Sequence, residues 1–337
     1  MNRTSIEWAD WSVNPIKLRL ASGKTVNACT KVSAGCANCY AESITKRWWP
    51  KAEQEFPGYR LPLLERGELV LLEHELEAVL RLDERIARGK ADAAENKVFW
   101  GDMNDLFGEW VPFGMLDLCF AVMALTPRLV HQVLTKRPER MAEYWGRMRC
   151  SELNILRAAH RYEGAISGGW SWPLPNVWLG TSVEDQKAAD QRIPHLLNCP
   201  AAVRFLSCEP LLGPVDLSEW LDPACPDDPD GQHHVGCGCN AADDIHWVIA
   251  GGESGPGARP CDVRWIQHLT VQAEAAGVPV FVKQLGRYPL DYNALDWPQG
   301  TRFDRGGHPD VADHKGGDMT QWPEVLRIRE MPEVSHG

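Results

Sequence analysis

The sequence predicts an α/β protein built from parallel β/α units, and three observations carry that prediction. Apolar runs of strand length recur in the segments 97–105, 130–138, 176–184, 203–210, 245–253 and 278–284. Each is too short for a helix and is followed by a helical pattern or a long crossover, which a parallel strand needs to return to the same edge. Each also ends in ionisable or amide side chains. With 337 residues and 44% hydrophobic content the chain can build one large β/α barrel or two smaller domains.

The first segment, Ile6 to Asn14, interleaves Trp8 and Trp11 with Glu7 and Asp10 and closes on the turn signal Asn14-Pro15. No period assigns it. Residues 17–26 alternate loosely, as a short strand or hairpin would, and a helix is expected from Ala41 to Arg47, stopped by Trp48-Trp49-Pro50. Leu72, Leu76, Val79, Leu80 and Ile86 recur at helical spacing before Gly89, which predicts an amphipathic helix over 72–88. Further helices are expected at 115–125, 139–149, 186–197 and 263–276, the last closed by Gly277.

Two stretches break the rhythm. Residues 217–244 are rich in Pro, Asp and Gly and carry Cys225, His233, His234, Cys237 and Cys239. That composition resembles a small zinc site in an insertion without its own core, and an accidental cluster is the alternative. From Gly286 the chain is rich in Gly, Asp and His, with Trp297 and Trp322 as anchors of a tail of little regular structure packed on the rest.

In a β/α barrel the loops after the strands gather at one mouth, which is the catalytic face. Asp102, Asn104, Asp105, Lys136, Arg137, Ser182, Glu184, Glu209, Glu253, Lys283 and Gln284 all follow their apolar runs. A single polar strand end only reaches for water; six in succession point to a site.

Ahead of these units lies Cys29-Thr-Lys-Val-Ser-Ala-Gly-Cys36-Ala-Asn-Cys39-Tyr40, three thiols spaced C-x6-C-x2-C. The chain shows no secretory h-region and no apolar run of membrane-spanning length, so a cytoplasmic protein with no membrane attachment is expected. There, eleven cysteines are poor disulfide material. Clustered ones read as metal ligands and Cys119, Cys150 and Cys199 as small buried hydrophobes. Three thiolates leave a tetrahedral zinc one ligand short, whereas they hold three irons of a [4Fe-4S] cluster and leave the fourth open. The net charge of −11 argues against a broad basic face for nucleic acid and leaves room for local contacts.

The loop Cys29 to Glu42 resembles the three-Cys-motif proteins of phages and prophages, a family of unknown function similar to radical S-adenosylmethionine enzymes. The likeness extends through Val133-Leu-Thr-Lys-Arg-Pro-Glu-Arg-Met141, Phe205-Leu-Ser-Cys-Glu-Pro-Leu-Leu-Gly-Pro214, Trp247-Val-Ile-Ala-Gly-Gly-Glu-Ser-Gly255 and Phe281-Val-Lys-Gln284. It implies an incomplete (β/α)6-type, TIM-like barrel over 1–285, interrupted at 217–244, with 286–337 as the tail. It further implies a [4Fe-4S] cluster on Cys29, Cys36 and Cys39, one-electron cleavage of S-adenosylmethionine (SAM), and an electron donor as partner. Ser182, Glu184, Gly251, Gly252, Glu253 and Asn104 are expected in the SAM pocket. Lys136, Lys283 and Glu209 are expected to act on the substrate, a nucleotide or nucleic acid in a phage setting, with Arg137 holding an anionic group beside Lys136. Lys283 pairing structurally with Glu209 or Glu253 is the alternative. A second protein is a further expected partner.

Two other classes stay open. A zinc-stabilised binding module would use the thiols, with Cys225, His233, Cys237 and Cys239, as a staple for nucleic acid or protein recognition without catalysis. A hydrolase would place a divalent metal among Asp102, Asp105, Glu209 and Glu253, though no spacing singles it out.

Overall fold

All six apolar runs form strands, buried along nearly their whole length as expected for parallel strands covered on both faces. The structure is a computed structural model and describes residues 1–48, 67–162, 172–221, 245–291 and 295–333. The fold is mixed α/β with mostly parallel pairing in its main sheet. No closed barrel is detected among the described residues. The chain divides into two compact units, Met1–Gly180 with Cys199–Ala202, and Thr181–Asn198 with Val203–Gly337.

In the first unit, β1 (Asn2–Arg3) pairs antiparallel with β2 (Trp11–Val13). A small antiparallel sheet joins β3 (Ile16–Leu20) to β4 (Thr25–Val26) and β5 (Gly67–Leu71). Between β4 and β5 lies α1 (Tyr40–Trp48), and α2 (Glu73–Ala87) follows β5. Then β2 pairs parallel with β6 (Lys97–Trp100), and β6 with β7 (Val130–Thr135). The intervening helix α3 (Phe113–Leu125) is apolar over most of its surface because it packs against both α2 and a later helix over Met148–Ala159.

Where one helix is expected over 139–149, two form: α4 (Pro138–Gly146) and α5 (Met148–Ala159). Tyr144 and Trp145 of α4 stack into an aromatic cluster with Phe120 of α3 and with Trp172. The strand β2 escapes the sequence pattern because three residues are too few to show a period. β5 escapes it because it is mostly half-exposed and runs straight into α2.

The strand β8 (Val177–Ser182) begins in the first unit and ends in the second. The second unit continues with α6 (Gln186–Leu197), β9 (Val203–Cys208) and α7 (Ser218–Leu221). Next come β10 (Trp247–Gly251), β11 (Cys261–Asp262) and α8 (Val263–Ala275), then β12 (Val280–Gln284) and β13 (Pro289–Leu290). Both β9 and β12 pair parallel with β10.

The tail then returns to the other side of β12. Val282 donates to the Ile328 carbonyl at 2.8 Å and Glu330 donates to the Val280 carbonyl at 2.8 Å, with Phe281 bridged antiparallel to Arg329. An exposed strand edge is a template for unwanted pairing, and this strap covers it. Trp322 anchors the strap: it is fully buried, and its indole donates to the Gly316 carbonyl at 2.9 Å. Trp297 is held by Asp291 at 2.6 Å. Among the described residues the tail's regular structure is sparse, the two-residue β13 and two single 3-10 turns, which matches the expectation from its composition. Cys119 and Cys199 are fully buried, as expected of small hydrophobes. No helix among the described residues is long and apolar enough to cross a membrane.

Candidate functional site

The cysteine loop is built from short local hydrogen bonds. Cys36 closes a 3-10 turn over Ala34–Cys36, its amide donating to Ser33 at 3.0 Å. Cys39 sits at the mouth of α1, its carbonyl accepting from Ser43 at 3.3 Å. The partial positive charge of a helix N-terminus favours negative charge at that position. Lys31 crosses the loop, its ammonium 2.6 Å from a Glu42 carboxylate oxygen and donating to the Ala37 carbonyl at 2.9 Å. Cys29, Cys36 and Cys39 line one open cleft with Asn27, Thr30, Lys31, Ala41, Glu42, Thr45 and Met103.

Two strand ends hold this loop in place. At the end of β6, Gly101 turns the chain with φ of 79°, a conformation other residues rarely adopt. The phenol of Tyr40, next to Cys39, donates to the carbonyl of Asp102 just beyond that turn. The Asp102 side chain accepts from Asn14, and burial raises its pKa against the opposing hydrogen bonds of Asn14 and Ser12. Asn104 donates to the Ile16 carbonyl at 2.7 Å, fastening the same turn to β3. At the end of β7, Arg137 donates to Asp105 at 3.0 Å and to the Thr30 carbonyl at 3.1 Å, so it reaches the residue after Cys29. Arg137 is 2% exposed. It is therefore engaged within the protein and not turned toward a substrate anion, as its place in the sequence suggests. Lys136 is half-buried beside it, and its amide donates to Asp105 at 3.2 Å.

Cys29 is an exposed residue overall, yet its thiol is pushed up to about 12, first by burial of the sulfur's surroundings and next by the Asp105 carboxylate, with Arg137 opposing. Cys39 and Cys36 add smaller effects of the same sign as Asp105, which places the three thiols within electrostatic reach of one another. Among the described residues no three His, Cys, Asp or Glu side chains converge to hold a single metal ion, these three thiols included. A cubane cluster asks for something different, since each thiolate meets its own iron and the sulfurs stand apart around a shared cleft. The donor set and its cleft fit such a group, which would stabilise the Cys29 thiolate that burial now disfavours.

The remaining predicted residues lie in the second unit. Glu184 is 1% exposed and paired with Arg192 at 2.7 Å, and Arg192 also donates to the Ser182 carbonyl. Glu253 accepts both the side-chain fork and the amide of Arg259, at 2.7 to 2.8 Å. Gly251 and Gly252 have a steric reason to be glycine. A Cβ on Gly251 would lie 2.8 Å from Glu209, and one on Gly252 only 2.2 Å from the Leu285 carbonyl. Lys283 pairs with Glu209 at 3.2 Å, the structural alternative among its expected roles, and places an ammonium and a carboxylate together where β9 and β12 end. Cys225, His233, Cys237 and Cys239 lie outside the described residues. Thr30, Lys31 and Tyr40 escape sequence reasoning as site residues; their adjacency to Cys29 and Cys39 is the signal that could have found them.

A family model described as a protein of unknown function (DUF5131) matches residues 3–317, and the chain belongs to that family. No curated protein and no solved structure matches it.

Proposed function

We propose that this member of the DUF5131 family is an iron-sulfur enzyme of the radical SAM type, acting on a nucleotide or nucleic acid. The observation that carries the reading is the cleft shared by Cys29, Cys36 and Cys39, fastened to the ends of two adjacent parallel strands through Tyr40 and Arg137. In this reading the three cysteines hold a [4Fe-4S] cluster, and residues 1–285 are an incomplete (β/α)6-type barrel with the 286–337 tail along it. A cluster held by Cys29, Cys36 and Cys39 would supply the one-electron reduction of SAM.

The chain's own residues have the remaining tasks. Tyr40 and Arg137 hold the loop, and Lys31 adds positive charge beside thiolates that would otherwise repel one another. Ser182, Glu184, Asn104 and the Gly251-Gly252-Glu253 turn are assigned to the SAM pocket. Glu184 and Glu253 would then act together with Arg192 and Arg259, which hold them. Lys136, Lys283 and Glu209 are assigned to the substrate, the Lys283–Glu209 pair exchanging its internal partner for an anionic group. An external electron donor is required, and the setting is cytoplasmic and phage-derived.

The test has two parts. Protein purified without oxygen is analysed for iron, acid-labile sulfide and zinc. Iron with sulfide supports the reading, whereas zinc with neither moves the protein to the zinc-stapled binding module. Reduced, cluster-loaded protein is then given SAM, and methionine and 5′-deoxyadenosine are measured by chromatography; a loaded protein that never cleaves SAM removes the radical half.

A further inference from the structure

We infer that Arg137 is the positioning residue of the cysteine loop, holding Thr30, and through it Cys29, at a fixed place against the carboxyl ends of β6 and β7. The inference rests on the reading of Cys29 as a ligand. Four observations support it.

Arg137 is 2% exposed and its partner Asp105 is 7% exposed, so the two form a buried ion pair at the ends of neighbouring strands. Such a pair is weak evidence for stability, since desolvation offsets most of the attraction, and what it does reliably is fix geometry. Asp105 is itself locked: it accepts from Thr135 at 2.7 Å, from the Phe107 amide at 3.0 Å and from the Lys136 amide at 3.2 Å. The arginine fork divides its two terminal nitrogens between different elements, one on Asp105 and the other on both the carbonyl and the hydroxyl of Thr30. A planar fork with fixed donor directions transmits position in a way a lysine ammonium does not. The third nitrogen, Nε, is buried with no hydrogen-bond partner, and the Trp110 ring lies 5.0 Å from the guanidinium carbon. The group is thus boxed by an aromatic face on one side and committed to Thr30 on the other.

A residue needed only for folding would loosen the whole loop or none of it. A positioning residue for Thr30 acts on Cys29 and spares Cys36 and Cys39, which are held by the 3-10 turn, by α1 and by Lys31. The test is thiol alkylation by iodoacetamide in metal-free, reduced full-length protein, with each cysteine followed by mass spectrometry. Arg137→Lys keeps the charge and removes the fork. It is expected to speed Cys29 alkylation about fivefold, the population change that follows from losing one net hydrogen bond, with the Cys36 and Cys39 rates unchanged. Thr30→Val removes only the hydroxyl acceptor and is expected to act in the same direction by about twofold. Equal acceleration of all three thiols, or none, overturns the inference. Should Arg137→Lys fail to fold by circular dichroism, Thr30→Val decides, and the absence of a Cys29-selective change in that variant is fatal. The readout needs no cluster, so a failed cluster reading and a failed positioning role are told apart.

Discussion

The phenol of Tyr40 donates to the main-chain carbonyl of Asp102, tying the residue after Cys39 to the turn that ends β6. Tyr40 is 48% exposed, so its ring contributes little to the core and its hydroxyl is its structural asset. Tyr40→Phe is expected to cost no more than about 1 kcal/mol in urea unfolding, because the lost hydrogen bond is partly replaced by water. Once reconstituted with the proposed cluster, the same variant should release iron to a chelator several times faster than the unaltered protein treated in the same way. An unchanged release rate would show that the tether does not govern the loop.

A second prediction concerns acid stability. His131 is fully buried, and burial pushes its pKa down to about 3. Trp100 can only donate, and it donates to His131 Nδ1 at 3.0 Å, so the ring proton sits on Nε2, 2.8 Å from the Thr126 hydroxyl. With the folded pKa below the unfolded one, the unfolded chain takes up the extra proton between the ordinary value of 6.5 and about 3. Stability from this group is complete above 6.5 and is lost as pH falls toward 3. His131→Asn should be less stable at pH 7 and lose less on acidification to pH 5. Parallel pH profiles for the two proteins would contradict the assignment.

The parallel strands and most helices were legible because a strand buried on both faces reads as a continuous apolar run, as at Val203–Cys208. The spacing of the three cysteines suggested a ligand set, and the structure sets all three along one cleft. The couplings that place them were not legible. Arg137 reads in sequence as a cation free for a substrate, and only three-dimensional structure shows it committed to Asp105 and Thr30 across 32 and 107 residues. Glu253 likewise reads as a pocket carboxylate, and its engagement by Arg259 depends on the path of the loop between them.

Two glycine substitutions should act in opposite directions. Gly252→Ala puts a Cβ 2.2 Å from the Leu285 carbonyl, a main-chain atom that cannot rotate away, and is expected to cost about 1–3 kcal/mol or more. Gly114→Ala, in the first turn of α3 with nothing within 4 Å of the added carbon, should stabilise by up to about 1 kcal/mol. Chemical denaturation checks both, and equal effects would refute the packing at the β10–β12 junction.

The tail should matter for the sheet edge and not for the cysteine cleft. Trp322→Ala empties a fully buried site and is expected to cost about 3–5 kcal/mol. With the strap loosened, β12 is freed to pair with other chains, so light scattering should rise on warming at temperatures where the unaltered protein stays clear. No increase would mean that the strap is dispensable for edge protection.

In the proposed function Cys29, Cys36 and Cys39 together ligate one cluster. The most direct test of that ligation is anaerobic reconstitution with iron and sulfide, followed by electron paramagnetic resonance of the dithionite-reduced protein, for the unaltered chain and for Cys29→Ala, Cys36→Ala and Cys39→Ala. A [4Fe-4S]⁺ signal with about four irons per chain, the stoichiometry of a cubane, is expected in the unaltered protein and is expected to be lost in each variant. A cluster-free unaltered protein, or a signal that survives removal of any one of the three thiols, would contradict it.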